Sequence, residues 1–199
     1  MLKIPTVKRL LKKSFKGTGI TVGKTTDGWF YIGTMAWNLC MDFKDAPKEI
    51  KAAVMEIAGE LPDSGQAFTA WKDTANQYAL EDERCVIPTY YGENIEDNKS
   101  NEMDIIFTKD DARFRLMRAG DTAHIIKEEY LDMLNPDVDY EGPFMPDPGR
   151  PSFVWHTDLT YLEVLPYVFR KSNDEEPRSM LRDEIDAVAA AFGMKLYEK

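Results

Sequence analysis

Few side chains in this sequence have the type and spacing that catalysis requires. The two histidines, His124 and His156, could each serve as a general base, and His156 with Asp158 could form an acid–base pair. No GxSxG sequence, activated cysteine or second histidine motif supplies a nucleophile, and no phosphate-loop or dinucleotide fingerprint is present. The sequence therefore predicts no catalytic residue and no cofactor. The alternative is a small hydrolase or transferase whose site is assembled in three dimensions from His124 or His156 and carboxylates.

One short segment resembles the start of a calcium-binding loop. Asp137, Asp139 and Glu141 place side-chain oxygens at positions one, three and five of that loop, and a glycine follows. Position twelve is Pro148, where a calcium loop has a bidentate glutamate. The segment is therefore predicted to be a turn-rich connection between strands, with no metal site.

The composition is typical of a globular protein of the cytoplasm. Hydrophobic residues make up 43% of the 199 residues, which is enough to bury a sizeable core. Cys40 and Cys85 have no CxxC or Cys/His spacing, and the N-terminal residues do not resemble an export signal, so we expect reduced thiols. Because no apolar run approaches the roughly 20 residues that cross a bilayer, we expect no membrane association.

Charge is unevenly distributed along the chain. The formal net charge is -10, yet residues 1–26 contain seven basic residues and no acidic one, which leaves -17 on the remainder. An acidic body repels nucleic acid, so contact with phosphates would need a local basic surface. The candidate is a predicted amphipathic helix over residues 6–16, whose basic side chains are Lys8, Arg9, Lys12, Lys13 and Lys16. The alternative is a solvated helix that is docked on the acidic body.

Periodicity in the first half predicts strands around one strong helix. Strands are expected at residues 20–24 and 29–32, joined by an Asp-Gly turn, with apolar character continuing to Phe43. A helix capped by Asp45 is expected to extend to Leu61. Its buried face would include Ile50, Val54 and Ile57. Further strands are predicted at residues 66–72 and 85–91.

The second half repeats this order of elements. Two alternating strands meet at the turn Ala119-Gly120-Asp121 and lead into a short amphipathic segment, and two or three strands follow. A polar break at residues 171–177 precedes a final helix. The residues predicted to lie on its buried face are Met180, Leu181, Ile185, Val188, Ala189 and Phe192.

Residues 104–169 carry the most specific pattern of the chain. After the hairpin come the segments YLDML and GPFMP, and the stretch ends with VLPYVF. This order resembles the last module of a bacterial DNA sliding clamp, and the first half shares its order of elements. The resemblance implies an α+β fold of two clamp-like modules of antiparallel sheet with packed helices, residues 17–102 and 103–170. The basic helix (residues 1–16) and a C-terminal helix (residues 171–199) would lie outside them.

The resemblance also implies a function that depends on binding. Sliding clamps receive linear peptides beside a C-terminal strand that contains proline, which corresponds here to Leu165, Pro166 and Tyr167. We therefore expect a non-enzymatic protein with a protein partner, linked to DNA replication, repair or its regulation. DNA contact through the basic helix and self-association are both left open. Clamp inner helices are basic, whereas the segment 127–134 here has three acidic residues and one lysine. The second alternative is an adaptor with no nucleic-acid role.

Overall fold

The computed structural model describes residues 1–80, 98–147, 149–168 and 180–197, and it has the α+β class that the resemblance implies. The helices are α1 (Ile4–Lys16), α2 (Lys48–Ala58), α3 (Glu128–Leu131) and α4 (Met180–Ala191). The strands are β1 (Ile20–Lys24), β2 (Trp29–Gly33), β3 (Trp37–Asp42), β4 (Gln66–Ala70), β5 (Gln77–Leu80), β6 (Asn101–Lys109), β7 (Ala112–Ala119), β8 (Thr122–Lys127), β9 (Glu141–Phe144), β10 (Phe153–Thr157), β11 (Thr160–Val164) and β12 (Lys195–Leu196).

The strands form two sheets. The large sheet has eight strands in the order β5-β4-β1-β2-β3-β11-β10-β9, and all of its pairs are antiparallel. The small sheet has the order β12-β8-β7-β6, with only the β12–β8 pair parallel. The predicted turn after Ala119 joins β7 to β8 and is confirmed.

One face of the large sheet, called here the inner face, carries the main hydrophobic core. Because side chains alternate along a strand, every second residue of β1, β2, β3, β10 and β11 points to this face. Helices α1 and α2 cover it, and the small sheet adds Met117 and Ile126. Each fully buried aliphatic or aromatic side chain contributes about 1.5–3 kcal/mol. The core includes Val7, Leu10, Leu11, Val22, Phe30, Ile32, Leu39, Met41, Ile50, Val54, Phe153, Trp155, Leu162 and Val164.

The small sheet lies between this core and helix α4. On its far side Phe114, Leu116 and Ile125 form a second buried cluster with Leu181 and Ile185 of α4, among others. Backbone hydrogen bonds also join the two sheets at two places. The amide of Tyr167, just after β11, donates to the carbonyl of Ile125 in β8 (2.8 Å). The amide of Ser100, just before β6, donates to the carbonyl of Pro143 in β9 (2.9 Å).

The repeated order of elements does not produce two equivalent modules. In the first half, β4 follows the helix and returns to pair with β1 of the same half. In the second half, β9, β10 and β11 leave β6–β8 and extend the large sheet through the β11–β3 pair. The predicted boundary between residues 102 and 103 is therefore not a boundary between sheets. The reason lies in β11, because Leu162 and Val164 continue the apolar inner face of β3.

Helix α2 begins and ends at residues other than those predicted. Pro47 is its N-cap residue, and no side chain caps the helix. Asp45 was predicted as the cap, but the carboxylate in this turn that accepts backbone hydrogen bonds is that of Asp42. At the other end Gly59 adopts a left-handed conformation (φ 83°) and ends the helix after Ala58. The amide of Gly59 donates to the carbonyl of Met55 (3.0 Å).

Four predicted core positions are wrong or only partly right. Ile57, at the end of α2, and Val188, in α4, are half-buried. Met180 is 89% exposed and Phe192, just beyond α4, is 50% exposed, because the buried stripe of this helix is Leu181–Ile185–Ala189. Strand β5 was not predicted. Its side chains are mostly exposed, so its sequence has no alternating apolar pattern.

Some predictions lie outside the described residues. These are the strand at 85–91, the thiol of Cys85 and the polar break at 171–177. Cys40 is described and is buried, at 2% exposed. Within the described ranges, no helix is both long enough and apolar enough to cross a membrane.

Candidate functional site

A cleft of about 660 Å³ opens on the outer face of the large sheet, opposite the main core. Its floor comes from β3 and β11, and one wall comes from the connection between β9 and β10. The other wall is the chain that leaves β11. The lining residues are Met35, Asn38, Pro146, Asp147, Arg150, Pro151, Ser152, Glu163, Leu165, Pro166, Val168 and Tyr197.

The register of the large sheet places polar side chains side by side in the floor. Asn38 of β3 is the direct partner of Glu163 in β11, and Gly33 of β2 is the partner of Asn38. On the far side of Gly33, the same line continues to Thr21 in β1 and Thr69 in β4. Because residues on one register line share a face, these positions form a polar row across the outer face.

Glu163 is a buried carboxylate with a single hydrogen-bond donor among the residues that the structure describes. Its side chain is only 6% exposed, and the amide nitrogen Nδ2 of Asn38 donates to its Oε2 at 2.5 Å. No basic side chain of the described chain lies within ion-pair distance of Glu163. A carboxylate can accept about four hydrogen bonds, so most of its accepting capacity is unused.

A tyrosine ring holds Asn38 in place. The hydroxyl of Tyr31 donates to Oδ1 of Asn38 (3.1 Å), which orients the amide so that Nδ2 faces Glu163. The ring reaches Asn38 by lying over Gly33. A Cβ atom at position 33 would be 2.3 Å from the tyrosine oxygen, so the glycine is required for this close approach. The network is therefore positioned by the backbone geometry of three neighbouring strands, β2, β3 and β11.

The rim of the cleft next to Glu163 is apolar and accessible. Met35, in the turn between β2 and β3, is 74% exposed, and Val168 is 37% exposed. Leu165 and Pro166 lie between them in the lining and are half-buried. An exposed apolar rim beside a buried carboxylate can bind a ligand that has both an apolar group and a hydrogen-bond donor.

The three residues predicted to bind a peptide do not lie together. Leu165 and Pro166 line the cleft, and the amide of Leu165 donates to the carbonyl of Ala36 (2.9 Å). Tyr167 is instead part of the link to the small sheet. Its ring packs edge-on against Phe114 with centroids 5.6 Å apart, and it is not among the lining residues.

The basic side chains of α1 contact acidic side chains on neighbouring helices. Lys12 Nζ lies 2.7 Å from Oε1 of Glu56 on α2, and this hydrogen bond and charge lower the pKa of the Glu56 carboxyl. Lys13 Nζ lies 2.8 Å from both carboxylate oxygens of Glu129 on α3, and Arg9 Nη1 lies 3.7 Å from the same carboxylate. Three of the five predicted nucleic-acid contacts thus already have acidic partners.

Lys8 and Lys16 are the remaining two basic residues of that predicted surface. Neither forms an ion pair with a residue of the described chain. The arrangement fits a helix docked on an acidic body, and DNA would have to compete with Glu56 and Glu129 for the other three.

The two histidines lie in separate environments. His124, in β8, stacks on Tyr197 (4.9 Å between centroids) and meets the edge of Phe153. His156, in β10, stacks on Tyr161 with centroids 5.2 Å apart. Neither forms an ion pair with a carboxylate in the parts of the chain that the structure describes. Among the described residues, His124 Nδ1 and His156 Nε2 have no hydrogen-bond partner, and both atoms are buried.

Sequence reasoning missed Glu163, Asn38 and Met35. In the alternating strand Thr160–Val164, a glutamate between two apolar residues is the usual pattern of a solvated outer face. In the structure, residues of the connection between β9 and β10, from Pro146 to Ser152, line the cleft and partly cover this outer face. The alternating pattern of β11 alone does not indicate this. No family model, curated protein or solved structure matches this chain.

Proposed function

We propose that this is a non-enzymatic binding protein whose cleft receives a linear peptide segment of a partner protein. The segment carries a lysine or arginine whose cation meets Glu163, next to an apolar side chain that packs on Met35, Leu165, Pro166 and Val168. The observation that carries the proposal is a buried carboxylate with one hydrogen-bond donor, placed at the floor of a cleft with an exposed apolar rim.

The chemistry of Glu163 favours a cationic group. A buried carboxylate is costly unless it is paired and hydrogen-bonded, and Asn38 alone supplies one bond. A guanidinium or ammonium group would fill the remaining accepting positions with charge-assisted hydrogen bonds. The net charge of -10 adds a long-range attraction for a basic segment.

The lining supports binding more than catalysis. Among its described residues there is no histidine and no cysteine, so within that part of the lining Ser152 has no histidine base to activate it as a nucleophile. The charged residues of the described lining are Asp147 and Glu163, which are acidic, and Arg150, which is basic. This mixture of charge and apolar surface is typical of a peptide-recognition groove.

A link to DNA replication, repair or its regulation is the part of the proposal that rests on the resemblance to sliding clamps alone. Sliding clamps bind peptides beside a proline-containing strand, and the proposal transfers this property to the region of Leu165 and Pro166. DNA contact through α1 is a separate matter, since Lys12 and Lys13 already pair with acidic side chains.

The experiment is a selection from a random peptide library displayed on phage, with the purified protein as bait. We expect enriched peptides to share a lysine or arginine within a few residues of a large apolar residue. A parallel selection on Glu163→Gln should lose the basic residue, because the neutral amide no longer pairs with a cation. Glu141→Gln is the matched control, since Glu141 is exposed on β9 and does not line the cleft. Failure to enrich any peptide, or the same basic motif on Glu163→Gln, would overturn the proposal.

A further inference from the structure

A second cavity, of about 470 Å³, lies where the two sheets meet. One side is formed by the chain that enters β6, and the other by the β7–β8 hairpin. Met145, just after β9, and Tyr197, just after β12, complete it. The lining residues are Asn98, Lys99, Ser100, Ala119, Gly120, Thr122, His124, Met145 and Tyr197.

Two of these residues have buried polar atoms without a hydrogen-bond partner. Ser100 is 2% exposed and His124 is 3% exposed, and neither Ser100 Oγ nor His124 Nδ1 has a hydrogen-bond partner among the described residues. Buried polar groups are nearly always paired in folded proteins, because an unpaired one loses its bonds to water without replacement. Two such groups that come from distant parts of the chain and line one cavity are typical of a polar ligand site.

The lining also indicates the charge of the ligand. Among the described residues that line this cavity, none is acidic, although the protein has 35 acidic residues. Lys99 is the one ionised side chain of this described lining, because burial lowers the pKa of His124 to about 4 and keeps its imidazole neutral. The hydroxyls of Ser100 and Thr122 and the amide of Asn98 can all donate hydrogen bonds. A ligand with several acceptors and a negative charge matches this set of donors.

We propose that this cavity binds a small organic anion, held by Lys99, Ser100 and His124. The shared chemistry is a carboxylate or phosphate oxygen that accepts from Ser100 and from the imidazole and lies near the ammonium of Lys99. The site is separate from the peptide cleft, although Tyr197 lines both. Its failure would leave the peptide proposal untouched.

The test measures thermal unfolding and calorimetric binding of the whole protein with three probes at millimolar concentration. The probes are inorganic phosphate, succinate and, as a neutral comparison, glycerol, all at matched ionic strength. We expect phosphate or succinate, but not glycerol, to raise the unfolding midpoint with a saturable dose dependence. Which of the two anions acts distinguishes a phosphate-bearing ligand from a carboxylate.

Variants locate the binding. Ser100→Ala and Lys99→Gln should each weaken the effective anion by about ten-fold or more, since each removes a charge-assisted contact. Ser100→Ala should leave the ligand-free midpoint unchanged or higher, because it removes an unpartnered buried hydroxyl. Ser64→Ala, an exposed serine outside the cavity, is the matched control and should bind as the wild type does. If neither anion shifts the midpoint, or if the Ser100 and Lys99 variants respond like the control, the inference is wrong.

Discussion

Protonation of His124 should make the protein lose stability in mildly acidic solution. The imidazole is 3% exposed, between Tyr197 and Phe153, and burial lowers its pKa from 6.5 to about 4. The unfolded chain therefore binds a proton more readily than the folded one. The stability that depends on the neutral imidazole is fully present above pH 6.5 and is lost as the pH falls towards 4.

The magnitude follows from the difference between the two pKa values. Each unit corresponds to about 1.4 kcal/mol, so protonation of His124 costs about 3 kcal/mol in total. At pH 5 only part of this is lost, about 2 kcal/mol relative to pH 7.5. Carboxylates also titrate in this range, so the effect of His124 must be isolated by comparison with a variant.

The assay is urea unfolding at pH 7.5 and pH 5 for the wild type and for His124→Phe. We expect the wild type to lose about 2 kcal/mol more than the variant between these pH values. Ser100→Ala is the matched control, because it removes another unpartnered group from the same cavity without removing a titrating one, and it should keep the wild-type dependence. Equal pH dependence in the wild type and His124→Phe would refute the reasoning.

Three further variants test other parts of the account. Ile50→Ala should lower the free energy of unfolding by about 2–4 kcal/mol in chemical denaturation, because removal of the fully buried side chain leaves a cavity between α2 and the sheet. A loss below about half a kcal/mol would contradict this packing. Gly33→Ala should weaken binding of a selected peptide several-fold, because the new methyl group displaces the Tyr31 ring that orients Asn38 in the floor of the cleft. Unchanged affinity would mean that this ring does not contribute to peptide binding. Any DNA binding by the wild type at low salt, measured by fluorescence polarisation, should fall steeply as salt is added. The double variant Lys8→Glu, Lys16→Glu should abolish it. Binding that persists in this variant would exclude α1 as the DNA-binding surface.

Local patterns in the sequence predict the elements of this fold better than their arrangement. Strand β1 has the predicted bounds of Ile20–Lys24, because alternation and a following Asp-Gly turn are local signals. Pairing between distant strands has no such signal. That β11 joins β3 depends on which apolar faces fit together around one core, and the repeated order of elements suggested a different answer.

Local sequence signals also predicted only part of the lining of the candidate cleft. Leu165 and Pro166 were found through a resemblance in local sequence, and both line the cleft. Glu163 was not found, because its burial depends on the β9–β10 connection crossing the outer face of the sheet. Tyr167 was placed in the same group by its position in the chain, yet the chain turns after Pro166 and carries it to the small sheet.

The most direct test of the peptide proposal is a double-mutant cycle between Glu163 and the basic residue of a selected peptide. The peptide is made with its lysine or arginine and again with methionine at that position, and both are titrated by calorimetry against the wild type and Glu163→Gln. If the cation pairs with Glu163, removing it should weaken binding about ten-fold or more on the wild type and very little on the variant, a coupling of about 1.4 kcal/mol or more. Equal losses on both proteins would contradict the account, since the basic residue would then bind somewhere other than the buried carboxylate.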